Sequence, residues 1–378
     1  MTFAEITARA EHAIRPLMVK LPPALVSHIY SRSRKLFLRM LDAENIANPC
    51  QPDPALGRTF WGIRFNSPIF NAAGMFKLGE AYRTVARQGA GAYLAGTVTP
   101  QPRRGNIRSG IPHPFMPYPA SGAASNWMGL PNPGAESLAR RISNIEKIPG
   151  CPVGVSISAS PEASGPGALE DLMNAMNLLE SAGVDFFELN ESCPNVPGHK
   201  NGLAALDEHL TERIDYLHQK FLKIRKRNLP VIAKFSTDTD PAQAPELIAA
   251  LADAGFDGIN FGNTSIDYIF ISEKIKRVDR ENFDYFLGNF GGGISGAPLR
   301  SKSLELCMTA AEYIRNHLPA REFRIIRTGG VASPAEFERS LDCGADMAQW
   351  FTGYFDAFAR HGHQLYCNLY SRMNLPRE

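Results

Sequence analysis

The stretch Phe186-Phe187-Glu188-Leu189-Asn190-Glu191-Ser192-Cys193-Pro194-Asn195-Val196-Pro197-Gly198 begins as a strand and ends as a loop. Phe186, Phe187 and Leu189 are the apolar residues of a buried strand. Asn190, Cys193 and Asn195 then follow within six residues, Pro194 and Pro197 stiffen the chain, and Gly198 lets it turn. A thiol between two carboxamides suits proton transfer on a planar, polar heterocycle, because amides donate and accept while the thiol can ionise. The plain structural reading also stands: a lone cysteine after a strand is often just a small buried residue.

The strand-to-loop pattern recurs. Strands are predicted at 68–74, 91–99, 152–158, 185–191, 230–236, 258–263, 324–330 and 347–353. Helices are predicted near 78–88, 136–146, 167–182, 203–227, 241–254, 299–317, 334–342 and 354–372. Eight strand–helix repeats imply an α/β fold, a parallel (β/α)8 barrel, with an open doubly wound sheet as the alternative. A barrel places its chemistry at the C-terminal strand ends, where Cys193, Lys234, Asn263 and Gly329 fall. Two connections, 100–135 and 264–298, are long enough to be lids or binding loops.

The chain has 378 residues, 44% of them hydrophobic, and a net charge of +2. That balance speaks against a general nucleic-acid binder. No apolar run is long enough to span a membrane. The six cysteines are scattered without a Cys-x-x-Cys pair, so no metal site, cluster or disulfide framework is expected, and reduced thiols in a cytoplasmic setting are the simplest reading.

Residues 1–45 read as a separate helical segment interrupted at Pro22-Pro23, with the barrel domain at 46–378. The segment carries seven Lys or Arg against four Asp or Glu, and Arg32, Arg34, Lys35 and Arg39 cluster beside an apolar face. Such a pair can lie peripherally on the inner face of a membrane or pack on the domain as an ordinary hairpin. Trp61, Ile63 and Phe65 alternate as a short strand leading into the barrel.

Several strand ends carry further signals. Ala73-Gly74 lets a flat ring approach the backbone, with Lys77 just beyond. Lys234 sits inside an apolar strand, where an ammonium needs a partner. A reduced flavin, which gathers negative charge at N1, would serve, and so would a core carboxylate. Asn126, Asn190, Asn195 and Asn263 supply uncharged amides that suit a ring of alternating donors and acceptors. Gly291 to Gly296, with Gly293 and Ser295 among them, precedes one helix. Gly329-Gly330 precedes another, which Ser333 caps with Pro334 in its first position. Together with Phe351-Thr352-Gly353 after the last strand, these glycine turns read as a phosphate site for FMN.

Asn190-x-Ser192-Cys193-Pro194-Asn195 resembles the catalytic loop of dihydroorotate dehydrogenases of class 1, whose base is cysteine. Asn126-x-Met128-Gly129-Leu130-Pro131-Asn132 resembles the substrate loop of the same class. Ala72-Ala73-Gly74-x-x-Lys77, Gly96-Thr97-Val98-Thr99-Pro100 and the N-terminal helices are similar to class 2, whose helices meet the membrane and admit quinone. Asn263-Thr264, Gly292 to Leu299 and Gln349-x-x-Thr352-Gly353 also match the family, so the resemblance covers residues 60–360. The stretch 107–119 departs from the family after Gly105-Asn106.

The resemblance implies an FMN-dependent oxidation of dihydroorotate to orotate, with Cys193 as base. Lys77, Asn126, Met128, Gly129, Leu130, Asn190, Asn195, Asn263 and Thr264 would meet substrate. Ala73, Gly74, Lys77, Thr97, Asn190, Lys234, Gly293, Ser295, Gly296, Gly329, Gly330, Phe351 and Thr352 would meet FMN. A membrane quinone is the expected oxidant and fumarate the alternative. A related flavin enzyme acting on another dihydropyrimidine, and a flavin- or membrane-binding protein without catalysis, are the other readings.

Overall fold

The computed structural model describes residues 1–163, 165–191, 206–225 and 227–373. Cys193 and Asn195 lie outside the described residues.

Eight parallel strands form the centre: β1 (Ile69–Asn71), β2 (Tyr93–Val98), β3 (Val153–Ile157), β4 (Phe186–Asn190), β5 (Val231–Ser236), β6 (Gly258–Asn263), β7 (Arg324–Thr328) and β8 (Met347–Trp350). From β2 to β8 each pairs with its neighbours in chain order, and β8 returns to β1. The ring closes just past β1, where Gly74 N–H donates to the Gly96 carbonyl at 2.7 Å and Gly96 N–H to the Phe76 carbonyl at 3.1 Å. The structure is thus the expected (β/α)8 barrel. Its strands are apolar and buried because helices cover their outer faces while side chains fill the interior.

The run 58–65 forms a hairpin rather than one strand. Arg58–Phe60 pairs antiparallel with Ile63–Phe65, and Trp61 and Gly62 turn between them at φ of 54° and 75°. Phe60, Trp61 and Phe65 cluster with Phe186 and Ile232, near the strand starts, and so close the barrel floor.

The two long connections fold together over the opposite end. Phe115–Tyr118, Ala123–Asn126 and Gly293–Gly296 make one antiparallel sheet. The N-terminal segment is a helix pair, α1 (Phe3–Met18) and α2 (Pro23–Ala43). Val26 and Tyr30 of α2 share a second core with Met116, Tyr118, Ile271 and two residues of α3 (Arg280–Phe290), Phe283 and Phe286. The start of α1 is tied to the C-terminal region through His363, whose Nε2 lies 2.6 Å from the Glu44 carboxylate and 3.2 Å from Thr2 Oγ1.

Two expectations need correction. The helix expected over 354–372 is two, Thr352–His361 and Leu365–Tyr370, broken at Gly362 with φ 57°. A Cβ there would fall 2.0 Å from the Glu5 carboxylate, so α1 packs where a side chain would go. Cys50 and Cys367 form a disulfide with Cα atoms 5.8 Å apart, against the expectation of reduced thiols. They are 317 residues apart, and they meet because the last helix returns beside the connection that enters the barrel. Cys151, Cys307 and Cys343 are free thiols. Among the described residues no helix is long and apolar enough to cross a membrane.

Candidate active site

A cavity of about 1000 Å3 opens at the C-terminal ends of the strands and runs up between the cap and the helix pair. Parallel strands bring their last inward residues to one level, and that level is polar. Asn263 at the end of β6 donates through Nδ2 to Asn190 Oδ1 at 3.1 Å. Asn190 donates in turn to Thr97 Oγ1 at 2.9 Å. Thr97 pairs with the Ser156 hydroxyl at 3.0 Å, and Thr264 N–H donates to Asn263 Oδ1 at 2.9 Å. This chain fixes which way each carboxamide faces. Ala73, Gly74 and Lys77 line the same space, and Lys77 is 9% exposed.

The cap adds the fourth side. Asn126, Met128, Gly129 and Leu130 line the cavity, and Asn126 donates to the Gly293 carbonyl at 3.3 Å. Gly293 therefore supports Asn126 through its carbonyl. Asn106 N–H donates to the Met128 carbonyl at 2.7 Å, so the surviving Gly105-Asn106 pair shapes the loop 126–132 despite the divergence after it. A Cβ on Gly129 would sit 2.2 Å from Asn106 Oδ1. His113 Nε2 pairs with the Arg104 carbonyl at 2.7 Å, and burial pushes its pKa down to about 4, so the ring is neutral near pH 7.

Lys234 projects from β5 to the cavity floor. Its Nζ lies 3.2 Å from Glu188 and 2.9 Å from Gln349 Oε1. The core carboxylate, the alternative partner weighed from sequence, is therefore present. Lys234 lines the cavity as well, so the pair leaves it facing the site.

Ser295, Gly296, Gly329, Gly330, Phe351 and Thr352 converge at the other end of the cavity. Ser333, Pro334 and Thr352, where two helices start, line the same space, and a helix start carries free backbone N–H groups that suit an anion. Gly330 has φ 78°, and a Cβ on it would strike the Arg300 side chain at 2.3 Å. Ser295 and Thr352 hydroxyls meet at 3.0 Å and join the cap sheet to the helix Thr352–His361.

The sequence model described as dihydroorotate dehydrogenase matches residues 55–367. This chain belongs to the dihydroorotate dehydrogenase family. A dihydroorotate dehydrogenase (quinone) of Halorhodospira halophila is 29% identical over 348 residues, 90% of this chain and 92% of that one. The one of Chloroflexus aurantiacus is 33% identical over 309 residues, 80% and 78% of the two chains. The ligand-free dihydroorotate dehydrogenase structure of Eimeria tenella shares the fold, with a TM-score of 0.73 at 20% identity over 90% and 93% of the chains.

Within this dihydroorotate dehydrogenase fold, three features escaped the sequence reading. Glu188, Asn260 and Thr328 form a buried network with Lys234 and Gln349. Glu188 stood two residues before Asn190, on the same inward side of a strand. Arg327, fully buried in β7, donates to the Gly329 carbonyl at 3.1 Å and braces the glycine turn. Arg34 of α2 reaches the Gly74 carbonyl at 3.3 Å and borders the cavity. Burial lowers its pKa to about 10, against the pull of Glu80. Nothing in a lone basic residue on an amphipathic helix distinguishes it from the exposed arginines beside it.

Proposed function

We propose that this protein oxidises dihydroorotate to orotate with bound FMN and passes the electrons to a membrane quinone. The carrying observation is one continuous cavity that joins the carboxamide level to Ala8, Phe37 and Met40 of the helix pair. The passage sets the apolar Ala8, Leu36, Phe37 and Met40 beside Arg15 and Arg34, and such a mouth between amphipathic helices suits a quinone, with an apolar body and ring carbonyls that accept hydrogen bonds.

The residues fit FMN. The glycine turns and helix starts would hold its phosphate, Ala73 and Gly74 would let its ring approach, and Lys234 would sit beneath it. Bound flavin supplies the acceptor for the hydride leaving substrate C6. Asn126, Asn190, Asn195, Asn263 and Thr264 orient the pyrimidine ring. Lys77 and the backbone of Met128, Gly129 and Leu130 meet the substrate carboxylate. Cys193, by its resemblance to the class 1 base, takes the proton from C5 as thiolate.

We divide the chain into a membrane and quinone segment at 1–45 and a catalytic barrel at 46–378. Phe3, Ile6, Ile14, Leu17, Leu25 and Leu36 are exposed on the helix pair, and Arg32, Lys35 and Arg39 are exposed near them. That pattern supports a cytoplasmic protein docked peripherally on an anionic membrane surface.

Anaerobic titration with dihydroorotate tests the first half, since prompt bleaching of the flavin is expected. Deleting residues 1–45 would strip Val26 and Tyr30 from the cap core, so the passage is better tested by Ala8→Trp. That variant should bleach normally yet lose quinone turnover. Normal quinone turnover would exclude this passage.

A further inference from the structure

Interior layers of a (β/α)8 barrel are ordinarily apolar and branched. One layer here is polar throughout. The Glu188 carboxylate, 1% exposed, accepts from Lys234 Nζ at 3.2 Å, Asn260 Nδ2 at 2.8 Å and Gln349 Nε2 at 2.7 Å. Thr328 Oγ1 stands 2.9 Å from both Asn260 Oδ1 and Gln349 Oε1. Lys234, Thr328 and Gln349 line the cavity, whereas Glu188 and Asn260 lie below its floor. The strand register explains the depth: Lys234 is paired with Asn190, and Glu188 is two residues earlier on β4.

We propose that Glu188 is a positioning residue: the buried counter-charge that keeps Lys234 protonated and aimed at the flavin through the whole redox cycle. The proposal rests on the FMN reading above. A buried ammonium without a partner tends to lose its proton, and such lysines reach pKa values of about 5–6. Burial does push Lys234 down, and the charge and hydrogen bond of Glu188 oppose it. Among the described residues, the uncharged Asn260, Thr328 and Gln349 of β6, β7 and β8 complete the network around the pair, while Lys77 and Arg34 are cations bordering the same cavity. The charge and hydrogen bond of Glu188 raise Lys234 against the effect of burial, so the carboxylate holds its proton. With Glu188 in place, Lys234 meets the reduced flavin already charged. Without it, Lys234 would be neutral beside oxidised flavin and would take up a proton as the flavin is reduced.

The readout is the reduction potential of FMN bound to the whole protein, measured against pH with redox dyes. In Glu188→Gln the potential should fall more steeply with pH than in wild type, by one proton per two electrons, or about 30 mV per pH unit. Glu188→Asp should restore the wild-type slope, and Glu188→Gln/Lys234→Met should abolish the extra proton. Equal slopes in wild type and Glu188→Gln would overturn the proposal. Should Glu188→Gln not hold flavin, the Lys234 side-chain NMR signal of the wild-type holoenzyme decides. It should stay at its ammonium position from about pH 6 to about pH 8.5, and a titration inside that window would overturn the proposal. A wild-type protein that binds no FMN would instead refute the reading on which the proposal rests.

Discussion

Arg213 clasps Glu191, its Nη2 at 2.6 Å and its Nε at 2.9 Å from the same carboxylate oxygen. Glu191 directly follows β4, and Arg213 lies in the helix Glu208–Leu217. The pair therefore joins the chain on both sides of the segment that contains Cys193 and Asn195. Glu191 N–H also donates to the Lys234 carbonyl at 3.0 Å, which ties the clasp to β5. Arg213→Ala should slow flavin reduction by dihydroorotate more than it weakens dihydroorotate binding, because the base loses its fixed approach. Stability should fall by roughly 1–3 kcal/mol, between exposed and fully buried pairs. Stopped-flow bleaching and urea titration measure both. An unchanged limiting rate would mean that the clasp does not orient the base.

Cys193 carries the proton step in the proposed reaction, and a free thiol ionises with a pKa of about 8.5. The limiting rate of flavin reduction should rise with pH until thiolate is populated and then level off. Cys193→Ser should be slower and need more alkaline conditions, since a hydroxyl is a far weaker acid. Full-speed reduction in Cys193→Ala would remove Cys193 from the mechanism.

The barrel was legible because its signal is repeated and local. Each strand is a short apolar run before a helical stretch, and the polar or glycine residues at the strand ends fall where barrel geometry puts chemistry. The helix start after β7 was legible for the same reason, marked by Ser333 and Pro334. The cap was not. Its core joins Val26, Met116, Ile271 and Phe283, which are far apart in sequence and share no periodic pattern. The Cys50–Cys367 disulfide was hidden the same way. The partner of Lys234 was half legible: a buried ammonium announces a need for an anion, but composition cannot choose between a carboxylate two strand positions away and a ligand.

Lys302 holds the loop after β6 in place. It bonds Asp238 at 2.9 Å and Asp267 at 2.7 Å, and Asp238 accepts from Ser265 Oγ and from Ile266 N–H. That loop carries Thr264 and follows directly on Asn263, the last residue of β6. The Lys302 hydrogen bond, chiefly, holds Asp267 below the usual carboxylate range. A carboxylate depressed in the folded state adds stability above its unfolded pKa of about 3.9, and loses that contribution as pH falls through the folded value. Asp267 is partly exposed, so solvent screens the pair, and Lys302→Met should be less stable by only about 1 kcal/mol at pH 7, with the gap from wild type closing below about pH 4. Its KM for dihydroorotate should rise. A stability gap that does not change with pH would show that the carboxylates are not the source.

Arg327 offers the sharpest test of the phosphate end. Its guanidinium donates to the carbonyls of Gly329 at 3.1 Å and Glu336 at 3.1 Å, and to the hydroxyls of Ser303 at 3.0 Å and Ser340 at 2.7 Å. Carbonyls of a glycine turn that are gripped from behind leave its N–H groups facing forward, toward the cavity. Arg327→Met would remove these four hydrogen bonds and one cation near the Glu336 carboxylate, although the Gly329 carbonyl would keep the Ser303 hydroxyl, the Glu336 carbonyl the Ser340 hydroxyl, and the carboxylate Arg339. The variant should lose roughly 1–3 kcal/mol of stability. Its FMN affinity should fall at least tenfold, a loss of about 1.4 kcal/mol in binding. Arg327→Lys keeps the charge but cannot reach four acceptors with one ammonium, so it should fall between the two. Fluorescence of released FMN gives the affinities directly. Wild-type FMN affinity in Arg327→Met would mean that the glycine turns hold their shape without a brace, and that the buried guanidinium serves only the packing of β7 against its helices.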